Sequence, residues 1–260
     1  MTRATEAELL KQRIAENRAS QEIDLATWIF QRVRIRPGDY ILELCCGTGG
    51  QTIPMLQALA GGGRVIALDA SAQALAALAE RAGSLASRLT ALEGDLDNLP
   101  GVLARNGLEG ERFDLVFVAY GLYYSSDARA TLENLFSLLK HEGRIVVVGP
   151  FGPNNGPLFE LLGAAGVVLS DAVRSSSGQF MTERVLPWAA LRFESMRIST
   201  MVNKIHWNSP ERVQNYWRNS TFYDDARASV FAELLHQHFS RCTEFVNEKW
   251  VMLAEMYDAR

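Results

Sequence analysis

The spacing of hydrophobic positions changes character along the chain. From residue 5 to 17 and from 22 to 34 they recur at helical intervals: Leu9, Leu10 and Ile14, then Ile23, Leu25, Trp28, Ile29 and Val33. Arg36-Pro37-Gly38-Asp39 reads as a turn. After it, short apolar runs alternate with amphipathic stretches. The runs predict strands at 40–45, 64–69, 89–93, 113–119 and 143–149; the stretches between predict helices at 51–60, 72–83, 97–106 and 128–140. Two of the runs, from Arg64 to Leu68 and from Arg144 to Val148, are apolar after their first residue instead of alternating. That pattern belongs to parallel strands covered on both faces. Strand and helix in alternation imply right-handed βαβ units and a doubly wound α/β sheet, which takes its ligands at the carboxyl ends of the strands.

The last third reads differently. Residues 156–192 predict mostly helix, interrupted at Ser175-Ser176-Ser177-Gly178, which reads as a mobile loop. Residues 193–207 alternate like a strand, 209–218 and 224–239 read as helices, and 244–255 as a final strand. The predicted organisation is N-terminal helices over 1–38, an α/β core over 39–155, and a helical cap with two more strands over 156–260.

Composition narrows the class. Of 260 residues, 48% are hydrophobic, enough for a sizeable core. The net charge of −4 argues against a surface that tracks a nucleic-acid backbone. Cys45, Cys46 and Cys242 show no CxxC or Cys/His spacing, so neither a disulfide framework nor structural zinc is expected. The N-terminus is charged and lacks an apolar signal-peptide segment. No apolar run approaches the roughly 18 residues of a membrane span. A cytoplasmic location is the expectation.

The chemistry begins with Glu43-Leu44-Cys45-Cys46-Gly47-Thr48-Gly49-Gly50, directly after the first strand. Glycines there let the backbone turn sharply and approach a ligand. A plain turn with Thr48 as helix N-cap is the bland reading. A dinucleotide loop is the rival, but it would require glycine at 52, which is Thr52, and Glu43 would repel a pyrophosphate. A carboxylate at this strand end suits a cation. Asp69 ends the second strand, twenty residues after Gly49, where an acidic side chain can accept ribose hydroxyls; N-capping of the next helix, which Ser71 also offers, is the alternative. Asp95, in Glu93-Gly94-Asp95-Leu96, can accept from an adenine amino group or simply cap a turn. The fourth strand opens into Ala119-Tyr120-Gly121-Leu122-Tyr123-Tyr124.

Taken in order, these four segments resemble class I, Rossmann-like S-adenosylmethionine-dependent methyltransferases of the ubiquinone/menaquinone-biosynthesis and small-molecule type, over about residues 22–150. Leu138-Leu139-Lys140-His141-Glu142-Gly143 is similar to that family's Leu-Lys-Pro-Gly-Gly turn, and Cys45 departs from its usual glycine. The resemblance implies a seven-stranded sheet whose last strand is antiparallel. It implies that Glu43, Gly47 and Gly49 hold the methionine part, with Cys46 and Thr48 in the same loop. Asp69 would take the ribose beside Ala70 and Ser71, Asp95 and Leu96 would frame the adenine, and Ala119 and Tyr120 would line the sulfonium side.

A base is needed only if the acceptor must lose a proton; the candidates are Tyr120, Tyr123, Tyr124 and His206, each also readable as a packing residue. Trp188, Phe193, Trp207, Tyr216, Trp217 and Tyr223 could form aromatic walls for a flat or lipophilic acceptor, or ordinary core. Trp28 and Phe30 could close over the cofactor. The Asn/Asp-Pro-Pro-aromatic tetrapeptide and the Pro-Cys nucleophile of nucleic-acid methyltransferases are absent, which disfavours DNA or RNA acceptors. Ala119 and Tyr120 stand where catechol-type enzymes place a magnesium aspartate, so no metal is expected. The expectation is methyl transfer to a small molecule, with O or N ahead of C. A non-catalytic cofactor-binding module and a nicotinamide-dependent oxidoreductase are the rivals, and a homodimer is compatible with all three.

Overall fold

A computed structural model of the chain describes residues 7–60 and 62–257. Seven strands form one sheet: β1 Tyr40–Leu44, β2 Arg64–Asp69, β3 Leu89–Glu93, β4 Phe113–Ala119, β5 Leu139–Pro150, β6 Ser195–Trp207 and β7 Phe245–Tyr257. Their order is β3-β2-β1-β4-β5-β7-β6. β1 pairs in parallel with both β2 and β4, β2 with β3, and β4 with β5. The last strand is antiparallel, as the resemblance implied. All five β1 residues are buried, as are Val65–Leu68 and Leu115–Val118, which accounts for their apolar runs, interrupted only by Glu43. Because β1 lies between β2 and β4, the order of the strands reverses there, and sheets of this kind take ligands outside the carboxyl ends of their strands at such a point.

The helices are α1 Ala7–Ser20, α2 Leu25–Phe30, α3 Thr52–Ala58, α4 Ala72–Ala82, α5 Leu99–Arg105, α6 Ala128–Ser137, α7 Gly156–Ala164, α8 Asp171–Arg174, α9 Leu186–Arg192, α10 Pro210–Arg218 and α11 Ala228–Phe239. The predicted start of the first helix at residues 5 and 6, and the side chains of Leu9 and Leu10, lie outside the described residues. Several boundaries differ from the sequence pattern. The helix expected from 97 opens as a 3-10 turn over Leu96–Asn98 before α5. β5 begins at Leu139, not 143, and a register shift opposite Phe113–Leu115 absorbs the His141-Glu142-Gly143 turn. The Ser175–Gly178 segment is not a loop. It is a wide π-helical turn over Ser175–Gln179, followed by a second over Met181–Val185. The Gly178 carbonyl accepts from Gly152 N at 2.8 Å, and glycine is needed at this close approach because a Cβ at 178 would lie 2.5 Å from the Gly152 carbonyl oxygen.

Contacts divide the chain into two interleaved units. One comprises residues 25–149, 181–199 and 252 onward and carries the parallel strands. The other comprises residues up to 24, 150–180 and 200–251. The second has its own apolar core, built from Leu158, Leu162, Trp207, Val213, Trp217, Phe231 and Leu235 with their neighbours. Among the described residues no helix is long and apolar enough to cross a membrane.

Candidate functional site

The loop after β1 is shaped by its own carboxylates. Asp69, at the end of β2, accepts from Gly47 N at 2.7 Å through one oxygen and from Ser71 N at 2.9 Å through the other. A carboxylate has about four lone-pair sites, so each oxygen keeps acceptor capacity for a ligand hydroxyl. Gly47 has φ +54, and a Cβ there would meet nothing within 4 Å, so the loop faces open space. Gly49 is required for another reason: a Cβ would lie 2.4 Å from Leu78 Cδ1, so this glycine lets the loop settle on α4. Thr48 does not cap a helix. α3 starts at Thr52, behind Gln51, and the Thr48 carbonyl accepts from Arg81. Ser71 does cap α4, accepting from Ala74 N at 3.2 Å. Ala70 beside it is exposed.

Glu43 is 2% exposed, and the Thr52 hydroxyl donates to it at 2.5 Å. Burial raises its carboxyl to about 8, against the Thr52 bond and with the charge of Asp69 adding to the rise. Thr52, counted from sequence only as a missing glycine, is thus the partner that satisfies Glu43. Cys45 has left-handed backbone (φ 55) where the resemblance has glycine. Its thiol is pushed up to about 12, first by burial and then by Asp69, Asp95, Glu43 and Asp97. Cys46 is buried and shifted the same way. Neither thiol is a nucleophile near neutral pH. Four acidic side chains, Glu43, Asp69, Asp95 and Asp97, thus lie near Cys45.

Asp95 caps the turn after β3, accepting from Asp97 N at 2.9 Å, with Leu96 buried beneath. Asp97 itself, not singled out from sequence, ties this turn to the loop after β4. Ser125 Oγ donates to it at 2.5 Å, Ser126 N at 2.9 Å and Ser126 Oγ at 2.6 Å. At the end of β4, Ala119 and Tyr120 are half-buried. Tyr120 is left-handed (φ 57) and its N–H donates to Val148 O at 2.9 Å. Such backbone persists where surrounding structure holds it and is common at functional sites. Gly121 must be small because a Cβ would lie 2.3 Å from that of Cys45. Tyr124 is 42% exposed and packs on Tyr123 at 4.7 Å.

Glu43, Cys46, Gly47, Thr48, Gly49, Asp69, Ala70, Ser71, Asp95, Leu96, Ala119 and Tyr120 thus all lie in one unit, at or just after the carboxyl ends of β1 to β4. A family described as a methyltransferase domain matches residues 41–143. Residues 41–143 form a class I methyltransferase domain. A demethylmenaquinone methyltransferase of Lactobacillus johnsonii is 30% identical over 135 residues, covering 51% of this chain and 52% of that protein. A chloroplastic 2-phytyl-1,4-beta-naphthoquinone methyltransferase of Arabidopsis thaliana is 30% identical over 117 residues, 44% and 42% of the two chains. The chain spans about half the length of the curated relatives it matches. The solved YcgJ protein of Bacillus subtilis shares the fold at TM-score 0.62 with 13% identity, over 90% of this chain and 98% of that one.

S-adenosylmethionine is the cofactor of such domains. The residues fit it: an open glycine, acceptors at the end of β2, and an acidic field around the loop suit a nucleoside joined to an ammonium and a sulfonium.

Other candidates lie away from these strand ends or in the core. His206, in the other unit, is held between Glu22 at 2.8 Å and Glu244 at 3.0 Å, which raise its pKa. With both ring nitrogens facing carboxylates it works as an ionic clip. Trp207, Tyr216 and Trp217 are at most 3% exposed, and Trp188 packs on Phe136 and Phe193, so these rings fill cores and do not form open walls. Phe30 stacks on Phe117 at 6.2 Å and Trp28 lies under Arg32, so both are packing residues.

Proposed function

We propose that the protein transfers a methyl group from S-adenosylmethionine to a small, ring-bearing acceptor of the quinone type. The observation that carries the reading is the convergence of Asp69, Asp95 and Asp97 on the loop of Gly47, beside the buried Glu43. Such a field attracts a cationic ligand and repels a pyrophosphate, which disfavours the nicotinamide alternative. The quinone type comes from the relatives' names.

S-adenosylmethionine, when bound, supplies a methyl group on a sulfonium already activated for displacement. The chain's part is placement. Asp69 accepts the ribose hydroxyls with the lone pairs that Gly47 N and Ser71 N leave free. Asp95 and Leu96 frame the adenine, and Ala119 and Tyr120 face the reacting end. Holding the acceptor in line is worth several kcal/mol, up to about 7–11. O- or N-methylation comes first from the sequence. A quinone-type ring adds ring carbon, since an ionised ring hydroxyl activates both oxygen and carbon; product NMR separates the outcomes.

The test is calorimetric titration with S-adenosylmethionine, S-adenosylhomocysteine and NAD(H) in parallel. Binding of the two sulfur compounds without NAD(H) is expected. Binding of NAD(H) alone would overturn the reading. With the cofactor established, turnover of a demethylated quinone separates an enzyme from a silent binding module.

A further inference from the structure

The second unit holds a buried polar cluster that this reading leaves unused. Lys249 on β7 donates to Asn155 Oδ1 at 2.5 Å and to the Tyr216 hydroxyl oxygen, with its Nζ 4.7 Å from the Tyr216 ring centre. Asn247 also donates to Asn155 Oδ1, at 2.9 Å. Asn17 on α1 donates to the Tyr216 oxygen, and Arg13 on the same helix adds a second positive charge. Tyr216 is 3% exposed and packs against Trp207 at 4.9 Å, while Lys249 is half-buried.

Three features mark this cluster as more than filler. The Tyr216 oxygen is surrounded by donors, an arrangement that suits phenolate better than phenol. Burial alone would push Tyr216 up, but Lys249, Arg13 and the donated bonds outweigh it and hold the phenol below its ordinary range. Lys249 is lowered as well, by burial. Asn155, which fixes Lys249, has left-handed backbone (φ 62). Finally, Asn17 Oδ1, Asn247 Oδ1 and Trp207 Nε1 are buried without partners. Each is a cost unless something polar satisfies it.

We propose that Lys249, Tyr216 and Asn155 form an acid–base centre for a ligand bearing a weakly acidic hydroxyl, a phenol or an enol. The half-buried Lys249 meets the ligand and Tyr216 stores the proton behind it. The ligand's O–H bond breaks and its electron pair stays on oxygen. Lys249 gains that proton while passing one of its own to the Tyr216 oxygen. Lysine remains an ammonium, tyrosine becomes neutral, and the new oxyanion faces the ammonium. Asn155 is the positioning residue. Matched acidity is why the ligand class is phenolic: transfer between groups of similar pKa runs in both directions. The centre does not depend on the methyl-transfer reading: its residues lie in the unit that does not carry the loop of Gly47.

The probe is 2-naphthol, whose naphtholate absorbs and emits at longer wavelength than the neutral form. It is mixed with the whole protein, without cofactor, at a pH where free naphthol is neutral. A naphtholate signal that saturates with protein is expected. Tyr216→Phe and Lys249→Met should each reduce it at least tenfold, with unchanged circular dichroism. Ultraviolet difference titration should show one tyrosine ionising before the rest, and Tyr216→Phe should remove that step. Naphthol that stays neutral at saturating wild-type protein overturns the proposal whether or not the variants fold. So does a full naphtholate signal from folded Tyr216→Phe. Because no cofactor is present, failure here leaves the S-adenosylmethionine titration standing, and the reverse also holds.

Discussion

Burial sets the charge of Glu43. With 2% exposure and one hydroxyl partner, its ionised form lacks the solvation that an open carboxylate has. Its folded-state pKa of about 8 lies above the unfolded value near 4.5. Between those values the native state keeps a proton that the unfolded chain has lost, so stability falls as pH rises through this window and the whole penalty is present above 8. Glu43→Gln should therefore flatten the melting-temperature profile from pH 5 to 9 and exceed the wild type at the alkaline end. A variant whose profile stays parallel to the wild type's would show that Glu43 is not the group titrating. Cys45 and Gly121 make a second case. Gly121 has φ −127, which alanine tolerates, so Gly121→Ala should cost stability only through its collision with Cys45. Overpacking of this kind costs about 1–3 kcal/mol. The loss should shrink in a Cys45→Gly background, and chemical denaturation of all four proteins measures the coupling. This pair shows how far the site was legible. Glu43, the glycines, Asp69 and Asp95 announced themselves because each is a chemical type at a strand end. The Thr52–Glu43 bond, the Cys45–Gly121 contact and the Tyr216–Lys249 pair depend on proximity between elements, which no local spacing encodes.

Between elements, Asp97 couples the turn after β3 to the loop after β4. Its carboxyl is held below the usual range: burial pushes it up, but the bonds from Ser125, Ser126 and Thr131 together outweigh that. With a depressed folded pKa, its contribution is complete above the unfolded value and is lost as pH falls through the folded one. Asp97→Ala should release residues 121–127, seen as faster amide exchange there with β4 unchanged, at a cost of about 1 kcal/mol for so exposed a group. Equal exchange in both proteins would mean that the loop is held by its own packing. The elements themselves were mostly legible. Strands β1, β2 and β4 were marked by apolar runs that follow from burial on both faces. Legibility failed where the backbone departs from regular geometry. The π-helical turns over Ser175–Val185 look like a loop because serines and glycine are poor helix formers, yet the carbonyl of Gly178 pairs with Gly152 across the chain. The early start of β5 was hidden by the turn that contains Glu142, itself left-handed (φ 59) in a place where glycine is usual in the resembling family.

At the scale of the molecule, charge is unevenly placed. The net charge is only −4, yet Asp69, Asp95 and Asp97 act together on one loop at the carboxyl ends of the parallel strands. A cleft that concentrates one sign of charge favours ligands of the opposite sign beyond what contacts alone provide. S-adenosylmethionine carries one more positive charge than S-adenosylhomocysteine and is otherwise nearly the same shape, so the ratio of their affinities isolates the field. Salt shortens the range of that field, from about 10 Å at 0.1 M to about 3 Å at 1 M. Raising ionic strength should therefore weaken S-adenosylmethionine several-fold more than S-adenosylhomocysteine, because only the first loses a net attraction. Asp97→Asn removes one of the three charges and should narrow the low-salt difference. Calorimetry at three salt concentrations measures both effects. If the two ligands weaken in parallel, the carboxylates are local scaffolding of the loop and the sulfonium lies outside their reach. If they diverge, the same residues that bend the loop also select the charged form of the cofactor over its spent product, and release of that product follows from the loss of one charge.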